Sequence, residues 1–157
     1  MKKIFVSLLG ISAFSLFLTA CTKSEPDPSN QKPTIEILRT LPAATTDIVC
    51  EETHDNVLIA HPGETLEIEM KLKDDHGLSQ YKIEIHENAD CHDHDHRPLS
   101  EWYYSNVVDL SGTETTKTEI ISIPDDAEIA PYHIEIKLID ESGMESDELE
   151  YNLVLES

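Results

Sequence analysis

Three of the chain's eight histidines, His92, His94 and His96, stand at alternate positions in the stretch ENADCHDHDHRP, Glu87 to Pro98. In an extended segment, side chains at i, i+2 and i+4 point the same way, and neighbouring Cα atoms in that row are about 6–7 Å apart. Two imidazoles at that spacing can close on one ion with metal–nitrogen distances near about 2 Å, and a bend brings in the third. By the same parity Cys91, Asp93 and Asp95 point to the other side. The two aspartates can accept the second ring N–H of the histidines. His86 or Asp90 is the nearest residue able to complete the shell, His86 lying on the outward face at the end of a strand. Imidazole-rich sites suit zinc, copper or nickel. The binding form is the neutral ring, so affinity falls below about pH 6, near the free imidazole pKa. The alternative is a solvated polar loop, rich in histidine by composition alone.

The other histidines contribute less. His54 and His61 are read as loop residues, with no role assigned. His76, in a turn, and His133, outward on a late strand, are read as surface residues. The acidic turns offer Asp74, Asp75, Asp125, Asp126, Asp140 or Glu141 as oxygen donors for calcium, but without the spacing of a dedicated calcium loop; solvated turns at the ends of a sandwich are the favoured reading. No nucleophile elbow, phosphate loop or helical zinc-protease motif is present, so no enzymatic activity is expected.

The elements that must position these residues read as strands. Leu66, Ile68, Met70 and Leu72 alternate with charged residues, as do Tyr81, Ile83 and Ile85, then Tyr132, Ile134, Ile136 and Leu138, then Tyr151, Leu153 and Leu155. Period-two alternation marks strands with one dry and one wet face. Thr34–Leu41, Trp102–Leu110, Thr118–Ile123 and a short stretch at Val57–Ala60 complete the set. Turns at HPGE, DDHG, SGTE and ESGM separate them. With no helical period, the expected fold is all-β: an immunoglobulin-like antiparallel β-sandwich of about seven strands. Trp102 and Tyr104 are expected to face its core and Tyr103 to face solvent.

The start of the chain is of another kind. Lys2 and Lys3 precede an apolar run from Ile4 to about Leu18, closed by Leu18-Thr19-Ala20-Cys21. This is the layout of an export signal, too short and wrongly flanked for a stable membrane span. LTAC resembles the bacterial lipobox, which implies a lipid on Cys21; the alternative is an ordinary secretory signal. By resemblance to known sorting rules, Thr22 in place of aspartate implies the outer membrane. Lys23, Glu25 and Asp27 weakly resemble a surface-export signal, so the periplasmic side and the cell surface both stay open. The proline-rich TKSEPDPSNQKP lacks large apolar residues and reads as a flexible tether. The expected organisation is a signal over residues 1–20, a lipid-anchored tether over 21–33 and one domain over 34–157.

The formal net charge of −21 repels phosphate backbones and argues against nucleic-acid binding. Cys50 and Cys91, beyond Cys21, are the two remaining cysteines; outside the inner membrane they are read as a disulfide, with metal thiolates as the competing reading.

PYHIEIKLIDESGMES resembles the penultimate-strand signature of bacterial immunoglobulin-like domains, and LKDDHGLSQYKIEIHE resembles their earlier strand–turn–strand. With IHENADCHDHDH following, the chain is similar to an uncharacterised family of Bacteroidota lipoproteins with one immunoglobulin-like domain and a His-rich segment after a strand. That resemblance implies fold and location and no activity. Two functions are therefore carried: a lipid-anchored domain binding a transition metal for buffering, acquisition or sensing, and an adhesion or assembly module of the outer membrane with no physiological metal. The second would use a strand edge or the Trp102-Tyr103-Tyr104 patch for a protein partner.

Overall fold

The computed structural model describes residues 29–88 and 102–157. Among the described residues nine strands are formed and no helix: β1 (Thr34–Leu41), β2 (Thr45–Val49), β3 (Glu52–Ala60), β4 (Thr65–Lys73), β5 (Leu78–Glu87), β6 (Tyr104–Asp109), β7 (Glu114–Ser122), β8 (Pro131–Asp140) and β9 (Leu149–Leu155). They make two sheets, β1-β4-β7 and β2-β3-β9-β8-β5-β6. The two sheets form a β-sandwich with an immunoglobulin-like order: β4 and β7 in one sheet, β5, β8 and β9 in the other.

Every strongly alternating segment is a strand, and its apolar parity points inward. Leu66, Ile68, Met70 and Leu72 of β4 meet Tyr81, Ile83 and Ile85 of β5 and Tyr132, Ile134, Ile136 and Leu138 of β8 in one core, all nearly inaccessible. Burying each such aliphatic side chain stabilises the fold by about 1.5–3 kcal/mol. Trp102 and Tyr104 pack against this core and Tyr103 is exposed, as their parity predicts.

The count departs from about seven because of β2 and the first half of β3. The stretch TTDIV has four exposed residues of five, and ETHDN is mostly exposed too. An edge ribbon wet on both faces has no dry side for an alternating pattern to record. His54, read as a loop residue, lies in this ribbon opposite Asp47. The sandwich is also not purely antiparallel: β3 runs parallel to β9, from Val57↔Asn152 to Ala60↔Leu155.

β2 and β3 are joined by a two-residue turn, Cys50-Glu51, with both φ angles positive, at 54° and 67°. Two positive φ values are what a hairpin turn matched to strand twist needs, usually met by Asn-Gly. A Cys-Glu turn gives no such signal, which is a second reason this hairpin escapes the sequence.

One polar group is enclosed between the sheets. Glu119 of β7 is 6% exposed and accepts hydrogen bonds from the hydroxyls of Tyr81 and Tyr104 (3.2 Å for Tyr104) and from Asn106 Nδ2 at 3.2 and 3.3 Å. Burial and the neighbouring carboxylate push the Tyr81 phenol well above its ordinary value, so it stays a neutral donor. A group enclosed this way holds β6 and β7 in register across the two sheets. Glu119→Gln replaces one acceptor by a donor facing three donors. It is expected to lower unfolding free energy by about 1–2 kcal/mol in denaturant titration, with unchanged far-UV circular dichroism.

Candidate metal centre

The outer face of the six-stranded sheet carries the site. β8 is an interior strand of that sheet, flanked by β5 and β9. Antiparallel pairing sets His86 of β5 opposite His133 of β8, and His133 opposite Asn152 of β9. Residues directly opposite share a face, with Cβ atoms about 4.5–5.5 Å apart. The two imidazoles meet edge to face, ring centroids 5.7 Å apart at 82°. Two residues along β8, Glu135 brings Oε1 to 3.7 Å from His86 Nε2. One ligand atom from each of His86, His133 and Glu135 lies within 4.8 Å of the other two. Around a tetrahedral zinc at about 2.0–2.1 Å, ligand nitrogens are about 3.3 Å apart. Small rotations of partly exposed His86 and Glu135 cover that difference.

His133 corrects the sequence reading. Taken as a surface residue, it is 4% exposed. Its outward parity was right, but strands on both sides and the residues over it close off the solvent. Asn88, itself 1% exposed, places Nδ2 2.7 Å from His133 Nε2. With that amide donating, Nε2 accepts and the ring proton resides on Nδ1. With the amide turned, Asn88 Oδ1 accepts Nε2–H and Nδ1 becomes the ligand atom. Only the second arrangement leaves a ring nitrogen for a metal while the other N–H is donated, the role an outer hydrogen bond plays for a ligating histidine.

The field on this face favours a cation. Glu84, Glu135 and Glu150 stand opposite one another on three adjacent strands, and carboxylate atoms of Glu135, Glu148 and Glu150 gather within 4.8 Å. Like charges directly opposite destabilise a sheet. Lys82 and Lys137 pair with Glu84 and Glu148 at its margins, and Tyr103 donates to Glu84 at 2.6 Å. Against the cost of burial, Lys82 and Tyr103 hold the Glu84 carboxyl below its usual range; Lys137, again against burial, does the same for Glu148. Glu135 stands between these two compensated ends.

Of the sequence-predicted ligands, His86 is in the cluster. Asp90, His92, His94 and His96 lie outside the described residues, as do Cys91 and the expected lipid site Cys21. The segment that carries the loop ligands leaves β5 at Asn88, against the cluster, and the chain is described again at Trp102, whose ring packs on Tyr132 with centroids 5.0 Å apart. Cys50 sits at the same place: its Sγ is 3.8 Å from the Asn88 carbonyl oxygen and 3.9 Å from Asn88 Nδ2.

Residues 19–155 match the family described as Domain of unknown function (DUF4625). The chain belongs to the DUF4625 family. No curated protein matches this DUF4625 chain. Among solved structures it is similar to Spo0M, the sporulation control protein of Bacillus subtilis, at 14% identity and a TM-score of 0.48, over 80% of this chain and 49% of that one. The DUF4625 chain thus spans about half of the Spo0M chain, and so distant a likeness carries no functional argument.

Proposed function

We propose that this DUF4625 protein is a non-enzymatic cell-envelope domain, held to the outer membrane by a lipid on Cys21, that binds a divalent transition ion: zinc, copper or nickel. The observation that carries the reading is the opposed pair His86 and His133 with Glu135 at the root of the His-rich segment. Two imidazoles and one carboxylate form a borderline donor set, which suits these ions rather than calcium or magnesium. His92, His94 and His96, on the segment that begins beside Asn88, would supply the closing ligand. A site that pairs a strand-borne half with a loop-borne half suits reversible capture, as in buffering, acquisition or sensing.

A Cys50–Cys91 disulfide fits this arrangement. Cys91 is three residues beyond Asn88, a reach of at most about 10 Å, and Cys50 Sγ already lies against Asn88. Such a bond would anchor the segment where it must approach the two histidines.

The test is calorimetric titration of the metal-free full chain in detergent with Zn²⁺, Cu²⁺ and Ni²⁺. One ion per chain is expected to bind more tightly than about 10 µM. Replacing His92, His94 and His96 together by Ala is expected to weaken binding at least about 10-fold while leaving a residual strand-borne site. Weaker binding by the wild type for all three ions, or no change in the triple variant, sinks the proposal.

The exposed Tyr103, just before edge strand β6, and Val107, on the β6 face that also carries Glu84 of its neighbour, favour the second reading, a module for adhesion or assembly. A chain that binds none of the three ions would leave that reading standing.

A further inference from the structure

A second polar cluster lies away from His86 and His133, where residues 30–32 meet the domain; His76 Nδ1 pairs there with Asp75 Oδ1 at 3.0 Å. Asn30 Nδ2 donates to Asp140 Oδ2 at 2.7 Å and to Ser142 Oγ at 2.8 Å. Gln31 N donates to Asp75 Oδ1 at 3.3 Å, and Lys32 pairs with Asp147. The segment therefore crosses two turns that are themselves adjacent. Leu78 pairs with Asp140, and Glu141 N donates to the Gly77 carbonyl at 2.8 Å. Asp140, 1% exposed, is held below the usual carboxyl range despite its burial, by Asn30, the Met144 N–H and Ser142.

Within this cluster two acceptor oxygens are buried with no hydrogen-bond donor: Asn30 Oδ1 and Asp74 Oδ2. The Asn30 amide cannot be turned to cure its own case, because Oδ1 would then face the Asp140 carboxylate. Asp74 is 9% exposed, and its other oxygen, Oδ1, is used by the N–H groups of His76 (2.8 Å) and Gly77 (2.6 Å). A buried oxygen without a donor is costly, and doubly so on a carboxylate. The Glu141 carboxylate also lies on this turn: a Cβ at Gly77 (φ 143°) would come within 3.0 Å of Glu141 Oε2. Glycine there leaves room for that carboxylate.

We propose that this pole binds one calcium ion, with Asn30 Oδ1 and Asp74 Oδ2 as the two preformed ligands. Carboxylate oxygens of Asp75 and Glu141, with water, complete the shell. Calcium takes six to eight oxygens at about 2.3–2.6 Å in adaptable geometry, which this irregular set can supply; magnesium demands a near-ideal octahedron. The site joins the segment that precedes β1 to the turns after β4 and β8, so the ion would order the junction through which the domain is tethered. It is independent of the transition-metal site.

Metal-free full chain in detergent is titrated with CaCl₂ by calorimetry and melted with and without it. The expected results are one Ca²⁺ per chain and a rise in Tm of about 5 °C at 5 mM CaCl₂, with an affinity typical of modules outside the cell. Asp74→Asn keeps an acceptor for His76 and Gly77 and removes the charge; Asn30→Ala removes the second orphan oxygen. Each is expected to weaken Ca²⁺ binding at least about 10-fold while the Zn²⁺ titration is unchanged. If Asp74→Asn does not fold, Asn30→Ala decides. No Ca²⁺ binding by the wild type at 5 mM, equal affinity for Mg²⁺, or undiminished binding in the variants would overturn the site.

Discussion

Replacing His86 and His133 together by Ala is expected to weaken Zn²⁺ binding by about 100-fold or more. Loss of an outer hydrogen-bond partner alone typically costs about 10–100-fold in metal affinity, and direct ligands cost at least as much. The two rings are each other's register partners, and a carboxylate oxygen of Glu135 lies within 4.8 Å of a ring nitrogen of each. No other imidazole pair shares that geometry among the described residues. His133 is buried, so its removal also opens a cavity; His86 is partly exposed and its single replacement is the cleaner arm. His86→Ala should lose affinity with little change in Tm. Asn88→Ala, which leaves both ligands in place but releases the His133 ring, should cost about 10-fold. Calorimetry on the oxidised full chain measures all three. Wild-type affinity in His86→Ala would place any metal entirely on the His-rich segment.

Cys50→Ser is expected to lower the unfolding free energy by roughly 3–4 kcal/mol under oxidising conditions, the chain-entropy effect of a cross-link closing a loop of this length. The turn that holds Cys50 makes the effect specific. Both of its residues adopt positive φ, a conformation non-glycine residues favour only when neighbouring structure enforces it. Reducing agent should bring the wild type down to the variant and leave the variant unmoved. Equal stability of the two oxidised proteins in guanidinium titration would remove the Cys50–Cys91 bond from the account. If the bond is present, Cys50→Ser should also weaken zinc binding, since the segment loses its anchor beside Asn88.

The two predictions meet at one place, the end of β5. There the chain leaves a rigid sheet that carries His86, passes the buried Asn88 that orients His133, and enters the His-rich segment. An ion held between strand and segment would gain from the sheet's rigidity, because the strand-borne ligands need little ordering on binding.

The alternation of Leu66 to Leu72, Tyr81 to Ile85 and Tyr132 to Leu138 was enough to read an all-β sandwich and most of its core, because a strand with one dry face writes its burial directly into a period of two. The same parity placed His86 outward. It could not bring His86 to His133. Those residues are far apart in the chain, and their meeting depends on the pairing register of β5 with β8, which local pattern does not encode. Nor could it show that His133 is buried, since an outward residue on an interior strand is covered by neighbours from other strands. The β2–β3 ribbon left no trace because both of its faces are wet and its turn is Cys-Glu. The orphan oxygens of Asn30 and Asp74 likewise exist only once three separate segments are folded together. What the sequence determined by itself was the facing of the alternating strands; the tertiary structure alone decided which facing residues stand opposite one another, and the proposed chemistry depends on that opposition.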